Sequence, residues 1–182
     1  MSVQAQAGQS YTGIAKTLHW LILILLALMI YGGWAAEELK GADRLTAMQG
    51  HAGLGIVLLI LMLFRLVWRI THPAPALPSD MPHWQQIAAT ATHHSLYFLV
   101  ILQPLMGLAM TMTSTKGSLR PFGLFGLQVA PNEIINGIAR DVHGVLPVLI
   151  IALVAVHAVA ALYHHFVRHD NVLKRMLPFT KV

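Results

Sequence analysis

Four histidines have the surroundings and spacing of metal ligands in this 182-residue chain. His143 and His157 lie fourteen residues apart in one apolar segment, about 21 Å along a helix at ~1.5 Å per residue and close to the same helical face. His19 and His51 open two earlier apolar segments. An imidazole in such a segment is costly without a partner, and its ring nitrogens are common metal ligands. The spacing therefore predicts two sites at different levels of one bundle.

The composition indicates that these histidines lie in a membrane protein. The chain is 56% hydrophobic and 10% charged, whereas soluble domains have roughly 25% charged residues. A membrane-spanning helix needs about 20 largely apolar residues, and the sequence contains four such segments. We predict an all-α integral membrane fold, a bundle of four transmembrane helices, with spans at 14–36, 48–70, 87–112 and 138–166.

The distribution of basic residues predicts the orientation of the bundle. With both termini in the cytoplasm, seven Lys and Arg residues lie on the cytoplasmic side and five on the other, as the positive-inside rule requires. The same residues are scattered, so the net charge of +5 does not indicate nucleic-acid binding. We expect a cytoplasmic tail over 1–13 rather than a cleaved signal, a membrane domain over 14–167, and a cytoplasmic tail over 168–182.

This orientation pairs the four histidines. His19 and His157 then lie near the cytoplasmic face, while His51 and His143 lie near the periplasmic face. The absence of cysteine excludes iron–sulfur clusters and covalently attached c-type haem. Two imidazoles fill both axial positions of a haem iron, which suits electron transfer rather than oxygen activation. The pattern predicts two haem b groups stacked across the membrane, each held between two helices.

Small residues and prolines lie beside these histidines. Four glycines leave room for a flat macrocycle to approach the backbone, although ordinary close packing of membrane helices explains them nearly as well; they are Gly50, Gly53, Gly55 and Gly144. Pro147 lacks the amide that would bond to the carbonyl of His143, so we expect it to bend the fourth span between its two histidines.

The remaining histidines divide into three groups. His164 lies two turns beyond His157 on nearly the same face and is a candidate quinone contact, with the equal alternative that it marks the headgroup boundary. Hydrogen bonds between helices are the simpler explanation for His93 and His94, with a second quinone contact as the alternative for one of them. We expect the histidines of the loops and tail to be solvated, namely His72, His83 and His169.

Several short motifs, in this order, resemble the prokaryotic cytochrome b561 family along nearly the whole chain. They are LHW at 18–20, GHAGLG at 50–55, RLVWR at 65–69, THPAP at 71–75, LQPLMGLAM at 102–110, RPFGLFG at 120–126, DVHG at 141–144 and HAVAALYHHF at 157–166. The resemblance implies two haem b groups with His19, His51, His143 and His157 as ligands. It is greatest to members that oxidise periplasmic superoxide and reduce ubiquinone, which implies a quinone contact at His164.

Cationic side chains are needed near the outer site if the donor is superoxide, because a focused positive potential raises the encounter rate of an anion. The candidates are Lys116, Arg120 and Arg140. Arginines and lysines such as Arg65, Arg69, Lys174 and Arg175 are candidate partners for propionates of the inner haem.

Two other functions compete with this interpretation. One is a haem-bearing membrane anchor that carries electrons for a separate dehydrogenase. The other is a histidine-lined carrier for a divalent metal ion, which would need its ligands to converge on one site at the midplane. The two levels of histidines disfavour the carrier.

Overall fold

The computed structural model describes residues 10–117 and 119–180, and within these ranges the chain is helical without strands. Its long helices are α1 (Gly13–Ala35), α2 (Gly41–Thr71), α3 (His83–Met112) and α4 (Glu133–Phe166), with a short 3-10 turn at Pro121–Gly123 between the last two. All four are long and apolar enough to cross a membrane. The predicted four-helix fold is confirmed.

Three helices begin earlier than the hydropathy predicts. α2 begins at Gly41 rather than at 48, α3 at His83 rather than at 87, and α4 at Glu133 rather than at 138. The first turns of α2 and α3 are polar, and hydropathy detects only the apolar part of a helix. At α4 the start is set by a cap, since the Asn132 side chain accepts a hydrogen bond from the amide of Ile135 at 3.0 Å.

An apolar layer separates the two histidine levels at the centre of the bundle. Ile150 has no exposed surface and lies seven residues from each histidine of α4, and Leu58 of α2 is 2% exposed. Leu26 of α1 and Val100 of α3 belong to the same apolar cluster. Because α1 packs on α2, α2 on α3 and α3 on α4, one small core fixes the rotation of all four helices.

The C-terminal segment folds over the end of the bundle at which α1 begins. Lys16 Nζ donates to the carbonyl of Thr180 at 2.7 Å, and Trp20 Nε1 donates to that of Met176 at 3.0 Å. Arg175 is buried and donates to the carbonyl of Ala76 at 2.6 Å. The C-terminal segment thus packs on the bundle, and Arg175 contacts a loop carbonyl. The rest of the two expected tails, 1–9 and 181–182, lies outside the described residues.

Candidate functional site

Each long helix carries two residues fourteen positions apart, and these eight residues form two layers. The inner layer, nearer to the end with the C-terminal segment, consists of His19, Arg65, His93 and His157. The outer layer consists of Gly33, His51, Gly107 and His143. Fourteen residues are nearly four helical turns, so each helix presents its two members on one face about 21 Å apart.

In the outer layer, the rings of His51 and His143 face each other across the bundle. Their centroids are 6.2 Å apart, and their planes differ by 79°. Both side chains line a cavity of about 570 Å³ between the helices. This volume lies within the range of roughly 300–1,000 Å³ that is usual for ligand sites.

A glycine of the neighbouring helix lies against each of these two rings. A Cβ atom on Gly33 would lie 3.1 Å from Cε1 of His51, and a Cβ atom on Gly107 would lie 3.1 Å from Cε1 of His143. The rings can take their positions because both neighbours are glycine. Sequence reasoning missed this pair; their spacing of fourteen residues from His19 and His93 could have indicated them.

The glycines selected from the sequence have different surroundings. Gly55 and Gly144 line the outer cavity, as an approaching macrocycle would require. Gly53 instead accommodates the ring of Phe122, which stands at a positive φ of 52° in the 3-10 turn, and a Cβ atom there would overlap that ring. Nothing lies within 4 Å of a Cβ built on Gly50. Close packing of the loop therefore explains Gly53.

Two hydrogen bonds hold His143 to α3. Its Nδ1 lies 2.9 Å from the carbonyl oxygen of Gln103, and the Gln103 side-chain amide donates to the carbonyl of His143 at 3.1 Å. Because a carbonyl only accepts, Nδ1 carries the proton and Nε2 is the nitrogen left for a metal. The second bond gives the carbonyl of His143 the donor that Pro147, which has no amide hydrogen, cannot supply within the helix. Sequence reasoning assigned no such role to α3.

In the inner layer, the rings of His19 and His157 have the same separation, 6.2 Å between centroids, with planes 66° apart. Arg65 lies against His19, with Nη2 3.3 Å from Nδ1. The same guanidinium donates to the carbonyl of Ala15 and the hydroxyl of Tyr97, each at 3.2 Å. His93 lies against His157, with 5.2 Å between ring centroids.

These separations fit the two axial ligands of a haem iron. Two imidazoles bonded to one metal ion at about 2 Å each have ring centroids roughly 6 Å apart once the radius of each ring is added. The pairs His19–His157 and His51–His143 both meet this distance. The pair His93–His157 is too close at 5.2 Å. The donor set, two neutral nitrogens per site, is one that haem iron takes.

Charged side chains surround the outer cavity. Lys116 and Arg140, two of the three cations selected from the sequence, line it together with Arg44 and Glu37, and all four are exposed. Arg140 also donates to the Asn136 side chain at 2.8 Å. Arg120 is exposed but is not among the described residues that line the cavity.

His164 is buried at the inner end of α4, with 7% of its surface exposed. Its Nδ1 lies 2.5 Å from Oδ2 of Asp170 in the C-terminal segment. Burial alone would raise the pKa of Asp170, but the hydrogen bonds from His164 and the amide of Val172, with the charge of Arg168, lower it below its ordinary value. This carboxylate is ionised and accepts a hydrogen bond from Nδ1–H of His164. His164 is therefore a buried histidine whose Nδ1 is hydrogen-bonded to a carboxylate.

Five histidines lie apart from these contacts. His72, His83, His94 and His169 are exposed, and His165 is partly buried beside Phe166. His72 stacks on Trp68 with 3.8 Å between ring centroids.

Comparison with known proteins agrees with this geometry. The family model described as prokaryotic cytochrome b561 matches residues 10–179. The chain belongs to the prokaryotic cytochrome b561 family. Cytochromes b561 are membrane electron-transfer proteins that bind haem b, so this chain is a multi-pass membrane protein in contact with lipid, and a haem b site is expected among its histidines.

Individual relatives are similar over most of their length. Cytochrome b561 homolog 1 of Escherichia coli K12 is 32% identical over 90% of this chain and 94% of its own. The probable superoxide oxidase CybB of Yersinia pestis is 30% identical over 93% of this chain and 97% of its own length. Cytochrome b561 homolog 2 of Escherichia coli K12 is 29% identical over 93% of this chain and 92% of its own length.

Proposed function

We propose that this cytochrome holds two haem b groups in the bacterial inner membrane and transfers electrons from periplasmic superoxide to ubiquinone near the cytoplasmic side. The observation that carries the proposal is the repeated separation of 6.2 Å in two histidine pairs at different levels. When bound, the haems supply the one-electron chemistry. The name of the Yersinia relative supports superoxide as the donor.

The proposed axial ligands are His51 and His143 at the outer site and His19 and His157 at the inner site. Each pair would hold its haem through two imidazoles, a ligand set that suits electron transfer rather than binding of oxygen species at the iron. Electron transfer from superoxide therefore needs only close approach. The apolar layer of Ile150 and Leu58 keeps water from the space between the two levels.

The cations of the outer cavity attract the anionic donor. Arg44, Lys116 and Arg140 outnumber the single carboxylate of Glu37. Basic and acidic residues balance over the predicted periplasmic side as a whole, so this local excess of positive charge supports superoxide as the donor. Focused potentials of this kind raise association rates of small anions.

His164 and Asp170 support a quinone site at the inner end. Since Asp170 accepts a hydrogen bond from Nδ1–H of His164, Nε2 of His164 is the nitrogen available to a quinone carbonyl. A protonated His164 donates through Nε2, and the Asp170 carboxylate stabilises that charge. The overall reaction balances: two superoxide anions each lose one electron and become O2, while one ubiquinone gains two electrons and two protons.

Stopped-flow mixing of the purified, oxidised, haem-loaded protein with superoxide tests the proposal. We expect reduction of both haems at the α-band within the mixing experiment, its suppression by superoxide dismutase, and reoxidation by a ubiquinone analogue. Absence of haem reduction by superoxide would contradict the proposed donor. Co-purification with a dehydrogenase that does reduce the haems would then favour the anchor-subunit function.

A further inference from the structure

The two proposed haem sites differ in what contacts the Nδ1 atom of one ligand each. In the outer layer, Nδ1 of His143 donates to the backbone carbonyl of Gln103 at 2.9 Å. In the inner layer, Nδ1 of His19 lies 3.3 Å from the guanidinium of Arg65. One ligand therefore faces the negative end of a dipole and the other faces a full positive charge. A His19 that binds iron through Nε2 keeps its proton on Nδ1 and cannot accept a hydrogen bond from Arg65, so Arg65 acts on the inner site through its charge alone.

We propose that Arg65 makes the inner site the one with the higher reduction potential, so that the protein itself directs electrons from the outer layer to the inner layer. The inference rests on the two-haem arrangement proposed above. It adds a residue that favours the direction of transfer proposed above, which the histidine pairs alone do not, since their separations are equal.

The physical reason is the charge of the oxidised iron. Oxidised haem carries one more positive charge than reduced haem, so a nearby cation favours the reduced form and raises the potential. A carbonyl that accepts the Nδ1 proton makes the imidazole a stronger electron donor, which favours the oxidised form. Arg65 and the Gln103 carbonyl therefore shift their two sites in opposite directions.

Arg65 is held in this position by neutral partners. Its other nitrogens donate to the carbonyl of Ala15 and the hydroxyl of Tyr97, and neither cancels its charge. Among residues 10–117 and 119–180, no carboxylate forms an ion pair with Arg65. The side chain is also partly buried, so solvent screens its charge less than that of a surface arginine.

The cations of the outer cavity do not reverse this difference. Arg44, Lys116 and Arg140 are exposed, where water and salt screen their charges strongly. Glu37 lines the same cavity with the opposite charge. The residues against the outer ligand rings are Gly33 and Gly107, which carry no charge at all.

Redox titration of the α-band in the haem-loaded protein tests the inference. Arg65→Gln should reduce the ratio of reduced to oxidised inner haem at a given potential at least tenfold, which is about 59 mV for a one-electron couple. The outer component should keep its midpoint. Arg65→Lys retains the charge and should show less than half of that shift.

Arg69→Gln is the matched control, because Arg69 lies one turn further along α2 and is also partly buried. It should shift the inner midpoint less than Arg65→Gln does. An inner midpoint that is unchanged or raised in Arg65→Gln would overturn the inference.

A second measurement leaves Arg65 in place. His51→Ala removes a proposed outer ligand, and the haem that remains should have the higher of the two wild-type midpoints. Retention of the lower midpoint would overturn the inference even where Arg65→Gln fails to bind haem. Wild-type protein with only one haem per chain would instead contradict the two-haem proposal itself.

Discussion

Gln103 and His143 are joined by two hydrogen bonds of opposite sense, one from the histidine ring to the Gln103 carbonyl and one from the Gln103 amide to the His143 carbonyl. The first orients the ring of a proposed haem ligand. The second satisfies a backbone acceptor that Pro147 leaves without its helical partner. A helix without a proposed ligand thus positions the outer site.

Gln103→Leu should weaken the outer site. It leaves the partly buried carbonyl of His143 without a donor, at a cost on the order of 1–2 kcal/mol, and outer-haem affinity should fall roughly 10- to 100-fold. Haem content and thermal unfolding in detergent measure both effects. Adding Pro147→Ala restores an amide to α4 and should recover part of the loss. No recovery in the double variant would show that the His143 carbonyl is not the cause.

The histidine pairs predict which haem each ligand variant loses. His51→Ala or His143→Ala should remove the outer haem alone, and His19→Ala or His157→Ala the inner haem alone. The pyridine haemochrome assay gives the haem count, and the α-band identifies the component. His93→Ala is the control, since the rings of His93 and His157 are too close for the two to bind one iron from opposite sides, and it should retain both haems. Loss of the inner haem in His93→Ala would contradict the proposed pair His19–His157 and make His93 a ligand instead.

Gly33→Ala should displace His51. The added Cβ atom would lie 3.1 Å from the ring of His51, so the ring must shift and outer-haem affinity should fall about tenfold or more. Gly32→Ala is the matched control, because nothing lies within 4 Å of a Cβ atom there. Haem titration of the haem-free protein gives both affinities. Equal affinities for the two variants would show that the outer site tolerates the shift.

The cavity cations predict which charges matter to superoxide. Lys116→Gln and Arg140→Gln should each lower the second-order rate of haem reduction by superoxide several-fold and weaken its dependence on salt. Arg120→Gln, on the same loop but away from the described cavity lining, is the control and should have a smaller effect. Stopped-flow rates at low and high ionic strength separate the three. A larger effect at Arg120 would move the approach route of superoxide out of this cavity.

Asp170→Asn should slow ubiquinone reduction while leaving haem reduction by superoxide unchanged, because it removes the partner that orients His164. The two half-reactions are measured separately by stopped flow. Similar slowing of both would indicate general misfolding rather than a quinone-site effect.

The stability difference between wild type and Asp170→Asn should depend on pH. The pKa of Asp170 is lower in the folded protein than its ordinary value, so its stabilising contribution is complete above that ordinary value and is lost as the pH falls through the lowered pKa. Wild type should therefore unfold at a higher temperature than Asp170→Asn at neutral pH, and the difference should disappear once the pH falls below the lowered pKa of Asp170. A difference that persists in acid would contradict an ionised Asp170.

Hydropathy and helical geometry alone determined the four spans and the two histidine levels. A bilayer requires about 20 apolar residues per span, and the pitch of a helix converts fourteen residues into nearly four turns. These rules act along one helix at a time. Together with the alternating direction of successive spans, they predict the pairs His19–His157 and His51–His143, whose rings lie close together in the fold. The role of these residues as ligands remains a prediction.

Only the tertiary structure decided which side chain lies against each ligand. The contacts of Arg65 with His19, Gln103 with His143 and Asp170 with His164 each join different segments of the chain. They depend on the rotation of each helix and the order of its neighbours, which are set by packing around Ile150 and not by apolar content. Hydropathy does not encode that rotation, so the residues that tune the proposed haem and quinone sites emerge only from the folded bundle.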